Sequence, residues 1–167
     1  TNNSVICDPE NDKKIFEWLP EFIFDDKGNC SHYIYKKEDA TGFDMTLVHN
    51  RNRFKNGAIT YTNIYLEKIM YGNKLPYKKF GDSFPAENSY LFKSVFDYGE
   101  YDSKSPYAKI KEWDFRSDAF SDFKAGFEIR TTRLCKRILL FHHFNELPGG
   151  SALVRSLNFE YDTTSEK

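Results

Sequence analysis

No run of apolar residues in this chain of 167 approaches the ~20 that a membrane-spanning helix needs. The opening Thr1-Asn2-Asn3-Ser4 has neither the basic start nor the apolar core of a secretory signal. These absences predict no membrane contact by this piece. Surplus charge is missing too. Lys and Arg number 24 against 25 Asp and Glu, a net charge of -1, so nothing pulls the chain toward phosphate backbones or anionic lipid, and nucleic acid is not an expected partner. Cysteine is scarce: Cys7, Cys30 and Cys135 are odd in number, with no C-x-x-C, which argues against a disulfide framework and a structural zinc site. They are expected as buried or half-buried thiols. No G-x-S-x-G, H-E-x-x-H, phosphate-binding loop or dinucleotide fingerprint occurs, so no metal, cofactor or catalytic residue is assigned. The chain starts with Thr rather than Met, which points to a piece cut or processed from something longer.

What is abundant is aromatic. Phe and Tyr number 16 and 11 in a chain that is 40% hydrophobic, enough for one core and tilted toward strands. The expected fold class is all-β, mainly antiparallel sheet with long hairpins and at most one or two short helices. Residues 1–14 are polar and read as a flexible leader, 15–161 as a single β-rich domain, and 162–167 as a polar tail. Ile15 to Phe24 predicts a strand, and Asp25-Asp26-Lys27-Gly28-Asn29 a turn with a glycine that accepts positive φ. Alternation from Ser31 to Lys37 completes a hairpin. Residues 37–57 predict a loop, with one short strand at Met45 to His49. Further strands are predicted over Ala58 to Tyr71 and Leu91 to Tyr98, with a Pro- and Gly-containing loop between them. Spacings near three and four over Phe115, Ala119, Phe120 and Phe123 predict a short helix within Trp113 to Gly126. Phe127 to Phe144 alternates like a strand but also fits helical spacing, and composition favours strand. Pro148-Gly149-Gly150 breaks the chain before a last strand over Ala152 to Tyr161. No fixed-period repeat is present.

Candidate chemistry is thin. His142 and His143 are adjacent, and on a strand their rings point to opposite faces and cannot converge on one ion. Glu112 with Asp114, Glu100 with Asp102, and Glu160 with Asp162 have spacings that would share a strand face, yet so many acidic residues produce such pairs by chance. Arg130, Arg133, Lys136 and Arg137 alternate between faces and read as a solvated or ion-paired surface. The aromatic residues proposed for partner or glycan contact are Trp18 and Trp113, with Tyr33 and Tyr35 beside them as further candidates; core filling is the alternative for all of them.

Several motifs occur together in order: Asp26-Lys27-Gly28-Asn29 with Tyr33-Ile34-Tyr35, Tyr65-Leu66-Glu67-Lys68-Ile69-Met70-Tyr71-Gly72-Asn73, and Val95-Phe96-Asp97-Tyr98-Gly99-Glu100. They continue through Trp113 with Arg116, Asp118, Phe120 and Ser121, then Ala125-Gly126-Phe127-Glu128-Ile129-Arg130-Thr131, Arg133-Leu134-Cys135, Phe141-His142-His143-Phe144 and Leu153-Val154-Arg155-Ser156 before Phe159 and Tyr161. Over nearly its whole length the chain thereby resembles the SpvB-type N-terminal region of toxin-complex B components. The resemblance implies a non-catalytic segment of a secreted bacterial toxin, made in the cytoplasm, within a β-sheet shell that encloses a toxic enzyme. Its implied partners are other segments of the parent protein and other toxin-complex components. The virulence protein that gives the family its name carries a C-terminal ADP-ribosyltransferase domain with an E-x-E motif; no E-x-E occurs here, so that activity is not carried over. A carbohydrate-binding β module using exposed aromatics is the alternative.

Overall fold

The alternating aromatic and β-branched stretches form strands, and among the described residues, 4–162 of this computed structural model, there is no α-helix. The strands are β1 (Val5–Asp8), β2 (Asn11–Trp18), β3 (Phe22–Phe24), β4 (Cys30–Lys37), β5 (Phe54–Lys55) and β6 (Ala58–Ile59). They continue as β7 (Ile64–Asn73), β8 (Tyr90–Asp97), β9 (Phe120–Asp122), β10 (Ile129–Thr131), β11 (Arg137–His142) and β12 (Ala152–Asn158). The centre is a six-stranded antiparallel sheet in the order β12-β11-β8-β7-β4-β3, so each strand neighbours the next of its members along the chain. The pairs β1-β2, β5-β6 and β9-β10 are separate two-stranded ribbons. The all-β expectation holds.

Register assigns the faces. His32 opposes Met70, Met70 opposes Lys93 and Lys93 opposes Phe141, while Val95 opposes Leu139. Partners directly opposite share a face, so Cys30, Met70, Val95, Leu139 and Phe141 lie together, and all are buried. On the reverse face Ile69, Tyr71, Phe92 and Leu140 are only half-buried, with Tyr71 stacked on Phe92 at 5.1 Å.

Between β4 and β7, and between β8 and β11, the chain makes two long excursions that dock on each other. Thr62 donates its N–H to the Glu128 carbonyl at 3.0 Å, and Arg130 donates back to the Thr62 carbonyl at 3.0 Å. Asn63 Nδ2 adds a bond to the Arg130 carbonyl at 3.1 Å.

Residues 1–3 of the stretch read as a leader and 163–167 of the tail lie outside the described residues; within the former, β1 pairs with β2 in a ribbon whose turn is held by the Asp8 carboxylate, which accepts from the Glu10 N–H at 2.9 Å. Three local expectations change. The short strand expected at Met45 to His49 is absent; Val48–Arg53 is instead a 3-10 turn, held by Asn50 donating to the Asp44 carbonyl at 2.8 Å. The helix expected within Trp113 to Gly126 gives way to extended chain and β9, because Arg116 donates to the Thr132 carbonyl and β9 pairs with β10. Phe127 to Phe144 is two strands rather than one, interrupted where Thr132 and Arg133 turn inward to a buried carboxylate.

Candidate functional site

Trp113 and Trp18, the two residues expected to face a partner, have opposite fates. Trp113 is 2% exposed and unavailable to any ligand. Lys36 Nζ lies 3.8 Å and the Arg133 guanidinium 4.2 Å from its ring centre, and its indole N–H donates to Asp39 at 3.0 Å. Its large π face attracts cations that would otherwise sit poorly in a core. Partner contact by Trp113 is thereby ruled out in favour of the core-filling alternative, and the expectation of a surface Arg130 and Arg133 is corrected, since they are 5% and 2% exposed. Arg133 places two donors on Glu38 Oε1 at 3.0 and 2.7 Å, while Tyr65 donates to Glu38 Oε2 at 2.9 Å. The Thr132 hydroxyl also bonds Glu38 Oε2, and the Thr132 N–H donates to the Tyr65 oxygen at 2.9 Å. Burial, then the Glu38 charge, pushes the Tyr65 phenol up to about 12. With Glu38 bonded by groups from the other excursion, this cluster ties the two excursions together.

Trp18 ends β2 and is 70% exposed. It overlooks a recess of about 670 Å³ that it lines with Phe22, Phe24, Tyr77, Phe80 and Phe84. Phe22 stacks on Phe84 at 4.6 Å and meets Tyr77 edge-on at 4.8 Å, and Phe24 meets Tyr77 at 5.2 Å. Phe80 and Phe84 lie in the loop between β7 and β8, where no periodicity singles them out. The result is an aromatic ledge along β3, one edge of the central sheet.

The other edge is β12. Its exposed residues include Val154 and Leu157, with Phe159 and Tyr161 just beyond. Tyr161 is anchored by its hydroxyl to the Cys135 carbonyl at 2.6 Å. Sequence reasoning found the strand; only the strand order reveals it as an edge.

The remaining candidates are not brought together. His142 packs on Phe92 at 5.0 Å and His143 on Phe141 at 6.5 Å, their rings on opposite sides. Glu100 is held by Lys36 and Lys109, each at 3.0 Å, whereas Asp102 caps a turn through Lys104 and Ser105. Burial raises the Cys30 and Cys135 thiols, disfavouring thiolate. Among the described residues no helix is long and apolar enough to cross a membrane.

A family model described as Salmonella virulence plasmid 65kDa B protein matches residues 1–144. The mono(ADP-ribosyl)transferase SpvB of Salmonella typhimurium is 34% identical over 165 residues, which cover 94% of this chain but 27% of the relative. The solved N-terminal domain of effector protein SpvB from Salmonella typhimurium strain LT2 superposes with a TM-score of 0.83 at 33% identity, over 97% of this chain and 51% of that one. The Photorhabdus luminescens Tc holotoxin pore structure matches with a TM-score of 0.82 and the TcdB2-TccC3 crystal structure with 0.81, each at 30% identity over 97% of this chain and 8% of theirs. The chain thus spans about a quarter of the curated relatives it matches.

Proposed function

The chain belongs to the SpvB family, and from that membership we propose that it is a non-catalytic structural segment of a larger toxin or virulence protein, adding strands to a β-sheet shell that encloses or delivers a toxic enzyme. The observation that carries this reading is the outer edge of β12, paired on one side only among the described residues. Its seven residues contain one charge, Arg155, and one bulge, at Val154, while Val154 and Leu157 are 53% and 54% exposed. Apart from the Leu153 N–H, which the Tyr107 hydroxyl accepts at 3.3 Å, no partner covers this edge among the described residues, and an edge of this length is a template for another strand. Because the sheet grows in chain order, the completing strand comes from a longer polypeptide of the family, whose curated members far exceed the matched length. Partners are accordingly other segments of the same protein and other toxin-complex components, and the setting is a secreted toxin. The match covers only 27% of the relative named as a transferase, which supports a segment separate from that chemistry. Mixing this chain with the separately expressed remainder of the longer polypeptide tests the assignment. Association weakened by Leu157→Lys is expected; a chain that binds none of it would sink the reading.

Exposed Trp18 above its aromatic recess favours one second reading, a carbohydrate-binding module. Glycan-array signal abolished by Trp18→Ala would support it, and a silent array would dismiss it.

A further inference from the structure

On the side of the molecule where the two excursions meet, Arg53, Arg116 and Arg130 line a recess of about 370 Å³ together with Ser117 and Phe115. No acidic residue lines it. Among the described residues, the ion pairs of these three guanidiniums draw on two carboxylates. Arg116 is paired with Asp118 through two bonds, at 2.7 and 2.6 Å. Glu128 serves Arg53 closely, at 2.7 Å, and Arg130 only distantly, at 3.8 Å.

Arg130 is the unusual member. It is 5% exposed, its one close bond runs from Nη1 to the Ser121 hydroxyl at 2.9 Å, and its buried Nε finds no acceptor among the described residues. A buried guanidinium donor without an acceptor costs more than a neutral one, and proteins normally satisfy it. Burial, then the neighbouring Arg53 charge, weakens the hold of Arg130 on its proton. Three guanidiniums thus line the recess against two carboxylates, neither of which lines it. Planar guanidiniums match the oxygen spacing of phosphate and carboxylate groups, and phosphate adds a second charge and more acceptors.

We propose that this recess is a binding site for a small phosphate, free or as the monoester of a small metabolite, with Arg130, Arg116 and Arg53 as its cationic walls and the Ser117 hydroxyl as a further donor. Arg53 and Arg130 come from the two different excursions, so the anion would also lock them together, adding to the backbone bonds at Thr62. The proposal is independent of the β12 edge and stands or falls separately from the shell assignment.

The test is titration of the purified chain with inorganic phosphate against chloride at matched ionic strength, followed by amide chemical shifts and thermal unfolding. Saturable binding is expected, with shifts centred on Ser117 and Arg130 and a raised unfolding temperature. Arg116→Gln is expected to weaken phosphate about tenfold, the loss of one charged hydrogen bond. Because Arg116 is paired with a mostly exposed Asp118, that variant should fold, and Ser117→Ala provides a second, milder one. A response that does not saturate, that chloride reproduces, or that survives Arg116→Gln unchanged would overturn the site. Acetate binding as tightly as phosphate would overturn its assignment to phosphate.

Discussion

Glu38 and Arg133 are 1% and 0% exposed at their side chains and bond through two close contacts, so each neutralises a charge that water cannot reach. Removing one partner of such a pair strands the other, at about 3–5 kcal/mol. Glu38→Gln is therefore expected to lower unfolding free energy by that order in urea titrations, with Trp113→Ala costing about as much through lost packing. A near-neutral Glu38→Gln would mean that the excursions are held by other contacts. His32 offers a pH signature. Burial against Phe22 and Phe84, at 5.8 and 4.8 Å, pulls its pKa below the ordinary 6.5. The unfolded chain then binds a proton that the folded one resists, so stability is complete above about pH 6.5 and declines as pH falls below it. His143 is lowered in the same direction by burial. Urea midpoints between pH 7.5 and 5.5 should fall less in His32→Phe than in the wild type. At this scale the sequence named the right aromatics but not their exposure: Trp18 and Trp113 look alike in one dimension, and only the convergence of Lys36 and Asp39 with Arg133, remote from both along the chain, buries the second.

Elements whose side chains alternate were legible: β4 and β8 fall where the pattern places them and β12 occupies most of its expected span, whereas β7 and β11 each form only part of a longer expected strand. The turn before β4 was legible too, through Gly28, whose φ is 86°. A Cβ there would meet Pro76 Cβ at 2.7 Å and the Tyr77 carbonyl at 2.8 Å, neither of them a flexible chain end. Gly28→Ala is expected to cost at least the roughly 1–3 kcal/mol of a forced left-handed residue, read as a lower unfolding temperature. A neutral result would show that the loop carrying Pro76 moves freely. Illegible elements share a cause, since their backbone bonds go to remote partners rather than along a local period. β9 is fixed by β10, and the break between β10 and β11 by Glu38, about a hundred residues earlier in the chain. The spacing of aromatics near three and four in Trp113 to Gly126 marks no buried helical face: Phe120 and Phe123 are 57% and 61% exposed on an extended excursion.

For the whole molecule, the sheet ends in two unlike edges. β3 is three residues long and flanked by an aromatic ledge, whereas β12 runs for seven residues with no strand on its outer side among the described residues, where the Tyr107 hydroxyl takes the Leu153 N–H. Short edges resist strand addition and long apolar ones invite it. Leu157→Lys should leave the stability of this chain within about 0.5 kcal/mol of the wild type, as exposed substitutions do, while reducing self-association at high concentration, measured by sedimentation. The ordered motifs made the family resemblance legible in the sequence; the edge that gives it a physical role emerges only when strand order is known. The most direct measurement is amide hydrogen exchange along Ala152–Asn158, compared between this chain alone and the full-length polypeptide of the same protein. The account predicts that the outward-facing amides of β12 exchange rapidly in the isolated chain and become strongly protected in the longer one; equal exchange in both would contradict it.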